Sequence, residues 1–228
     1  MTHLILFDID GTLLRCGRQV GTFFVEALVE VFGSYGELEG YTFGGKTDPR
    51  IVIDLVRATG RGDDEILPKL ATMRRIYLEN LERGLKREGM RLLPGVRELL
   101  DKLSARDDVM VGLLTGNWRG GAEIKLGRFD LNRYFSIGAF GDDGVNRRDL
   151  VPVALERAFE VCGQSFEPHR TLIVGDTELD IDCAQSAGVR SLGVATGFTE
   201  AARLEEAGAD WVFANLEQAS RQFELFVG

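Results

Sequence analysis

Cysteine is scarce in this chain, and its spacing indicates no pairing. The 228 residues include three cysteines, Cys16, Cys162 and Cys183, which lie far apart or stand alone. Zinc sites and disulfide frameworks depend on paired cysteines at characteristic spacings. Both are therefore excluded as the basis of the fold, and the cysteine usage is typical of a reducing compartment.

Long apolar runs and an excess of basic residues are also missing. No stretch approaches the ~20 apolar residues of a membrane helix, and the chain begins with a short strand-like run rather than with a signal-peptide core. The net charge of −9 disfavours nonspecific binding to nucleic acid. We therefore expect a cytoplasmic protein with no membrane or nucleic-acid partner.

What is present is a pattern of strands and helices with an insertion. A first strand ends at Phe7 and is followed by three helices in succession, predicted over residues 18–33, 47–59 and 63–85, with Asp48 as the N-cap of the second. From residue 94 the two element types alternate. Strands are predicted at 109–114, 135–139, 171–175, 190–195 and 211–213. Helices are predicted at 94–105, 118–127, 150–162, 179–187, 199–207 and from 215.

Alternating strands and helices predict an α/β fold, a Rossmann-like parallel sheet with helices on both faces. The three consecutive helices predict an inserted all-helical cap. We expect residues 1–14 and 91–228 to form the catalytic core and residues 15–90 to form the cap. Ligands bind outside the carboxyl ends of strands in such sheets, so the polar residues directly after each strand are the candidate site residues.

Two aspartates stand directly after the first strand, in the run Phe7-Asp8-Ile9-Asp10-Gly11. Strand residues alternate between faces, so Asp8 and Asp10 are expected to point the same way. A simple turn accounts for Asp10-Gly11 but gives no reason for Asp8. The pair is therefore a candidate metal or catalytic site.

More acids follow the strand predicted at 171–175. Asp176 comes directly after Gly175, and Asp180 lies one helical turn further on. Together with Asp8 and Asp10 they place several carboxylates in a small volume, where they repel one another unless a cation is bound. An all-oxygen site suits Mg²⁺. Magnesium beside a carboxylate nucleophile indicates phosphoryl transfer.

Groups that could hold a phosphate follow two other strands. Thr115, Gly116 and Asn117 come after the strand at 109–114 and offer a hydroxyl, backbone amides and a side-chain amide. Arg147 and Arg148 precede the helix at 150–162, and an arginine there can pair with phosphate oxygens. Each group also has an ordinary explanation, a turn and cap for the first and an exposed helix start for the second.

Taken together, Asp8-Ile9-Asp10-Gly11-Thr12, Thr115 and Gly175-Asp176-Thr177-Glu178-Leu179-Asp180 resemble the motifs of the haloacid dehalogenase superfamily of phosphohydrolases. The resemblance covers nearly the whole chain. The helical insertion is similar to the C1 cap of phosphoglycolate phosphatases and β-phosphoglucomutases. In the third motif the family usually has a lysine, whereas this chain offers Arg147 or Arg148, of which we slightly favour Arg147.

The resemblance implies a role for each motif residue. Asp8 would be the nucleophile that forms an aspartyl-phosphate, and Asp10 the general acid and then the general base. Thr115 and the Gly116 amide would hold the phosphoryl oxygens. The Mg²⁺ ligands would be Asp8, the backbone carbonyl of Asp10, and Asp176, with Asp180 supporting that shell.

Within the predicted cap, the loop Gly44-Gly45-Lys46 is flexible enough in sequence to reach the core. Lys46 is a candidate contact for the leaving group of a substrate. It is equally well explained as a surface lysine at a helix start.

We therefore predict a hydrolase, a magnesium-dependent phosphatase that acts on a small-molecule phosphate ester as a monomer or dimer. Phosphoglycolate, by resemblance, is the leading single substrate, and sugar phosphates stay open. Dehalogenation is disfavoured because that branch does not need the second aspartate. A phosphosugar mutase and a non-catalytic phospho-ligand-binding protein remain as alternatives.

Overall fold

A parallel β-sheet lies at the centre of the fold. A computed structural model describes residues 3–197 and 199–227, and within them six parallel strands form the main sheet while two short antiparallel strands form a separate ribbon. The strands are β1 (His3–Phe7), β2 (Leu14–Arg15), β3 (Arg91–Leu92), β4 (Val109–Leu114), β5 (Ile137–Ala139), β6 (Thr171–Gly175), β7 (Arg190–Val194) and β8 (Trp211–Phe213). Three of the predicted strands, β4, β6 and β8, are confirmed to the residue.

The order of strands in the main sheet is β5-β4-β1-β6-β7-β8. The chain runs outward from β1 to β4 and β5, then crosses back to place β6 on the other side of β1. Such a reversal opens a crevice at the carboxyl ends of the strands, which is where ligands bind in open α/β sheets. Asp8 follows β1 and Asp176 follows β6, so both acids stand at this crevice.

Helices flank the sheet and also form the insertion. They are α1 (Gln19–Phe32), α2 (Asp48–Arg57), α3 (Asp63–Ile66), α4 (Leu70–Gly84), α5 (Val96–Ser104), α6 (Arg119–Gly127), α7 (Leu150–Cys162), α8 (Glu178–Ala187), α9 (Ala201–Glu206), α10 (Leu216–Arg221) and α11 (Glu224–Val227). The predicted fold class, a Rossmann-like sheet with an inserted helical cap, is confirmed. Across the described residues, none of these helices combines the length and hydrophobicity needed to cross a membrane.

Strand β1 is buried on both faces, as its uninterrupted apolar sequence predicts. Leu4 and Leu6 pack into one core with Ile173 of β6, while Ile5 and Phe7 pack into a second core on the opposite face. The alternation of side chains along a strand accounts for this division. Because both faces are filled, the position of Asp8 at the end of β1 is fixed by packing.

The ribbon of β2 and β3 joins the insertion to the sheet. Leu14 pairs with Leu92 and Arg15 with Arg91, so the outgoing and returning chains lie side by side. Helices α1 to α4 lie between these two strands. The division into a core of residues 1–14 and 91–228 and a cap of residues 15–90 stays a proposal, and it places the ribbon at the junction between the two.

Two local predictions in the cap are wrong. The single helix expected over 63–85 is divided into α3, a 3₁₀ turn at Leu67–Lys69, and α4. Pro68 explains the break, because proline has no backbone N–H to donate within the helix and its ring crowds the carbonyl four residues earlier. The N-cap of α2 is Thr47, whose hydroxyl accepts from the Arg50 amide, and not Asp48.

Candidate active site

Three buried carboxylates meet where β1 and β6 end. Oxygen atoms of Asp8, Asp176 and Asp180 all lie within 4.8 Å of one another. Asp8 and Asp176 follow adjacent strands of the sheet, and Asp180 projects from the first turn of α8. The structure therefore brings together three of the four carboxylates that we expected to share a small volume. The carboxyl of Asp10 is outside this cluster and lies in the other direction, towards α6.

Burial is the main cause of altered acidity in the cluster. Desolvation raises the pKa of Asp8 to about 6 against the opposing effect of Arg147, and Asp180 and Asp10 raise it further. Desolvation raises the pKa of Asp176 to about 8, and the charges of Asp8 and Asp180 act in the same direction. The pKa values are raised because burial disfavours the charged carboxylates more than the nearby Arg147 favours them. Oxygen donors in this condition fit a hard divalent cation such as Mg²⁺.

The backbone is shaped closely around the carboxylate of Asp176. Gly11 has φ +91°, and a Cβ atom there would come within 2.3 Å of Asp176 Oδ2. A Cβ atom at Gly197 would come within 1.5 Å of the same oxygen. The hydroxyl of Thr12 donates to Asp176 Oδ1 at 3.3 Å. Two close backbone approaches and one hydroxyl therefore hold this carboxylate in place.

Arg147 supplies the protein's own cation to the cluster. Its Nη2 atom lies 2.9 Å from Asp8 Oδ1 and 2.5 Å from Asp180 Oδ1, and also donates to the carbonyl of Leu114 at 3.1 Å. Nη1 donates to the carbonyl of Gly45 in the cap at 3.0 Å. Burial lowers the pKa of this guanidinium, but Asp180 and Asp8 more than offset the effect and raise it above its ordinary value.

Arg148, the other candidate of the third motif, lies outside the site. Its guanidinium binds both carboxylate oxygens of Asp182, and its side chain is 61% exposed. The two arginines share a 3₁₀ turn, and a capping box between Asn146 and Asp149 fixes the orientation of that turn. Of the two, Arg147 alone faces Asp8, so the proposal of a phosphate-binding arginine is kept for Arg147 and given up for Arg148.

Both oxygens of Asp180 already have donors. Oδ1 is bound by Arg147, and Oδ2 accepts from the backbone amide of Thr177 at 3.1 Å and from its hydroxyl at 2.6 Å. Within the cluster, Asp180 therefore holds the guanidinium of Arg147 and completes the capping box of α8 with Thr177. The predicted supporting role is therefore the one we retain for it as a proposal.

The Thr115-Gly116-Asn117 segment lies deeper than the sequence indicates. The side chain of Thr115 is fully buried, and its Oγ1 atom accepts from Asn117 Nδ2 at 2.8 Å. Asn117 Nδ2 also donates to Asp10 Oδ2 at 2.8 Å. Gly116 and Asn117 line the cavity beside Asp8, whereas Thr115 is not among its lining residues.

Lys125 is the polar residue that the sequence analysis missed. From α6 it places its ammonium 2.6 Å from Asp10 Oδ2 and 2.5 Å from Asn117 Oδ1, with the side chain 3% exposed. Burial lowers its pKa, but Asp10 and other neighbours raise it well above the ordinary value. A signal was present in the sequence, because Lys125 shares the buried face of α6 with Ala122 and Leu126. A charged residue within the apolar stripe of a helix is unusual, so this pattern could have identified Lys125 as a candidate site residue.

A loop of the cap, residues 43–48, is seated on the core. The Asp48 amide donates to the Gly116 carbonyl at 2.7 Å, and Asp48 Oδ2 accepts from the Trp118 amide at 2.8 Å. Desolvation raises the pKa of the Asp48 carboxyl to about 7. Lys46 lines the cavity, but its ammonium lies 3.0 Å from Asp54 Oδ2. The proposed contact of Lys46 with a leaving group therefore requires it to exchange partners.

A cavity of about 730 Å³ lies between the strand ends and the cap. Asp8, Asp176 and Arg147 line its core side, and Phe24 and Tyr77 are among the cap residues that line the other. A volume of this size accommodates a small organic molecule. The arrangement combines one charged end with one largely apolar wall.

The sequence of this chain was compared with those of known protein families and proteins. A family model described as haloacid dehalogenase-like hydrolase matches residues 5–194. The chain belongs to this family. It is 29% identical over 219 residues to a phosphorylated carbohydrates phosphatase of Thermotoga maritima, covering 90% of this chain and 91% of that protein. It is 28% identical over 223 residues to a phosphoglycolate phosphatase of Haemophilus influenzae, covering 94% of this chain and 95% of that one.

The fold is also similar to that of a solved structure. CbbY from Rhodobacter sphaeroides, solved in complex with phosphate, superposes with a TM-score of 0.68 at 21% identity, and the match covers 96% of each chain. Likeness at this identity concerns the fold alone. The family resemblance and the enzyme class predicted from the sequence, a haloacid dehalogenase-like phosphatase, are confirmed by the comparisons together.

Proposed function

We propose that this protein is a magnesium-dependent phosphatase that hydrolyses a small phosphate monoester through an aspartyl-phosphate on Asp8. The observation that carries the proposal is the cluster of Asp8, Asp176 and Asp180 at the carboxyl ends of adjacent strands, with Arg147 as a buried cation beside it. This combination offers a carboxylate nucleophile, a place for a cation and a ligand for phosphoryl oxygens. Phosphoryl transfer needs these elements of positioning and charge neutralisation.

In the first half-reaction a carboxylate oxygen of Asp8 attacks phosphorus. The bond from phosphorus to the leaving oxygen breaks, and Asp10 gives its proton to that oxygen, so that an alcohol leaves. In the second half-reaction Asp10 takes a proton from a water molecule, and that water attacks the phosphorus of the aspartyl-phosphate. Inorganic phosphate is released and Asp8 is regenerated.

The remaining residues bind and orient. We propose that Arg147 pairs with the phosphoryl oxygens while it keeps Asp8 in place, and that Asn117 and the Gly116 amide line the phosphoryl pocket. Asp8, the Asp10 carbonyl and Asp176 would hold Mg²⁺. The ion would neutralise charge on the phosphoryl group and on the carboxylates around it.

The substrate is proposed from the cavity and from the names of the relatives. The two relatives described above are named as phosphatases of phosphorylated carbohydrates and of phosphoglycolate. The cavity of about 730 Å³ has space for leaving groups up to the size of a sugar. Phosphoglycolate stays the leading single substrate, and a sugar phosphate is next. The three cysteines are free thiols, which supports the proposed cytoplasmic location.

The test is a screen of metabolite phosphate esters with and without Mg²⁺, in which released phosphate is measured. Asp8→Asn serves as the blank, and Asp107→Asn, an exposed aspartate on the approach to β4, is the matched control. We expect turnover that needs both Mg²⁺ and Asp8 and is unchanged in the control. Product analysis with a sugar 1-phosphate identifies a mutase by an isomeric product. The absence of Asp8-dependent turnover across the screen would refute the proposal and favour a phospho-ligand-binding protein.

A further inference from the structure

Lys125 places a positive charge where lysine is rarely found. The residue lies on the face of α6 that also buries Gly121, Ala122 and Leu126. Its side chain is 3% exposed, and it lines the wall of the cavity. A buried ammonium is costly unless it is paired and hydrogen-bonded. The partners of Lys125 therefore indicate why it is there.

Those partners form a closed triangle with Lys125. Its Nζ atom lies 2.6 Å from Asp10 Oδ2 and 2.5 Å from Asn117 Oδ1. Asn117 Nδ2 completes the triangle by donating to Asp10 Oδ2 at 2.8 Å, and it also donates to Thr115 Oγ1. An ammonium has donors only, so it fixes the orientation of the Asn117 amide. The amide nitrogen then faces Asp10 and Thr115, which both accept.

The orientation of the Asp10 carboxyl group depends on contacts of this kind. It follows β1 by three positions and makes an isolated bridge with Leu14 instead of continuing the strand. Its side chain is 43% exposed, so packing alone does not fix the direction of the carboxyl group. A group that transfers a proton has to stay within hydrogen-bond reach of the reacting oxygen. The triangle restrains an otherwise exposed carboxyl.

Both donors of the triangle converge on one oxygen of Asp10, namely Oδ2. Because two N–H groups face this oxygen, a proton carried by the carboxyl sits on the other, Oδ1. We infer that Lys125 is a positioning residue, which together with Asn117 holds Asp10 by Oδ2 and presents Oδ1 to the leaving-group oxygen and then to the attacking water. The inference rests on the proposed function, in which Asp10 moves a proton in both half-reactions.

Simple neutralisation of buried charge is the competing explanation. Asp48, a buried acid, also raises the pKa of the ammonium. If Lys125 served only to balance the charges of Asp10 and Asp48, its loss would lower stability and would reduce kcat/KM for every substrate to the same extent. A positioning role predicts a loss that depends on whether the leaving group needs a proton.

The experiment compares two esters in the Mg²⁺-loaded full-length protein. One is the alkyl ester that is hydrolysed best in the screen, whose alcohol leaves only when protonated. The other is 4-nitrophenyl phosphate, whose leaving group departs as a stable anion. The variants are Lys125→Met and Asp10→Asn, and Lys102→Met is the control because Lys102 pairs with Glu98 on α5, away from the cavity. Lys125→Gln, which shortens the side chain but keeps a polar end, is a second variant if Lys125→Met does not fold.

We expect Lys125→Met or Lys125→Gln to lower kcat/KM, which includes chemistry only up to departure of the leaving group, by about 100-fold for the alkyl ester and by less than about 10-fold for 4-nitrophenyl phosphate, following the pattern of Asp10→Asn. Because Asp10 is also the proposed base in the second half-reaction, which both esters share, kcat should fall for both of them. Lys102→Met should leave kcat/KM and kcat unchanged. Equal losses of kcat/KM on both esters would overturn the inference while leaving the proposed function intact. Failure of the proposed function is recognised separately, because the wild-type protein would then show no Asp8-dependent turnover of either ester.

Discussion

Replacing Asp176 with asparagine is expected to stabilise the ion-free protein while abolishing its activity. Desolvation, with Asp8 and Asp180 as additional causes, raises the pKa of Asp176 from 3.8 to about 8. The folded state therefore holds a proton that the unfolded chain has already lost in the range between these values. In that range the unfolded state binds fewer protons, so stability falls as pH rises. The loss is complete once the pH exceeds about 8.

The size of the change in stability follows from the rise in the pKa of Asp176. One pKa unit corresponds to about 1.4 kcal/mol, so a rise from 3.8 to about 8 destabilises the charged, ion-free fold by several kcal/mol. Asparagine removes the charge but leaves a polar group buried, which itself costs about 1–3 kcal/mol where its hydrogen bonds are incomplete. We therefore expect Asp176→Asn to raise the free energy of unfolding in EDTA by ~1–3 kcal/mol at pH 8 and to have little effect near pH 4.

In saturating Mg²⁺ we expect the opposite order of stability, with the wild-type protein more stable than Asp176→Asn. The ion binds the deprotonated carboxylates, so its binding strengthens as pH rises and stabilises the wild-type fold by mass action. Thermal and urea unfolding between pH 4 and 8.5, with EDTA or saturating Mg²⁺, measures both effects, and Asp107→Asn is the control. The reasoning is refuted if Asp176→Asn is no more stable than wild type in EDTA at pH 8. It is also refuted if Mg²⁺ stabilises the variant as much as the wild type.

Two further predictions use matched pairs of neighbouring residues. Arg147→Met should lower the free energy of unfolding by ~3–5 kcal/mol, because it leaves buried carboxylates unpaired, and should abolish turnover, whereas Arg148→Met should stay within ~0.5 kcal/mol and remain active; similar urea-unfolding curves for the two would contradict the assignment. Gly45→Ala should destabilise by more than ~1 kcal/mol, because Gly45 has φ +74° and a Cβ would come within 2.6 Å of Thr177 Oγ1. Gly44→Ala, whose Cβ would lie 3.6 Å from the nearest atom of Thr177, should be nearly neutral in the same measurement, and equal losses would argue against the seating of this loop.

The sheet and its acidic cluster could be predicted because local pattern and topology agree. The apolar run before Asp8 predicts a strand buried on both faces, and β1 is one. The same reasoning places Asp176 at the end of β6, and parallel strands have their carboxyl ends at one edge of the sheet. The acids therefore meet although they are far apart in the sequence. The short ribbon of β2 and β3 was not predicted, because two-residue strands have no periodicity to detect.

The parts of the site that could not be predicted depend on rotation about a helix or turn. Arg147 and Arg148 are adjacent in a 3₁₀ turn, and the capping box around Asn146 decides which one points inward. Lys125 reaches Asp10 only because α6 is oriented with its Lys125 face towards the sheet. Strand alternation predicts that the side chains of Asp8 and Asp10 point in the same direction. The strand ends at Phe7, however, and the carboxyl of Asp10 turns towards Lys125.

The arginine of the third motif can now be explained by what it contacts. Arg147 serves four acceptors on separate elements: the carboxylates of Asp8 and Asp180, and the carbonyls of Leu114 and Gly45. A lysine has three donors on one nitrogen, whereas a guanidinium spreads five N–H groups over a rigid plane. Only the wider group reaches the Gly45 carbonyl in the cap while it also pairs with Asp8. A lysine at this position would hold Asp8 but would lose the link to Gly45, so the arginine connects the cap to the carboxylate that we propose as the nucleophile.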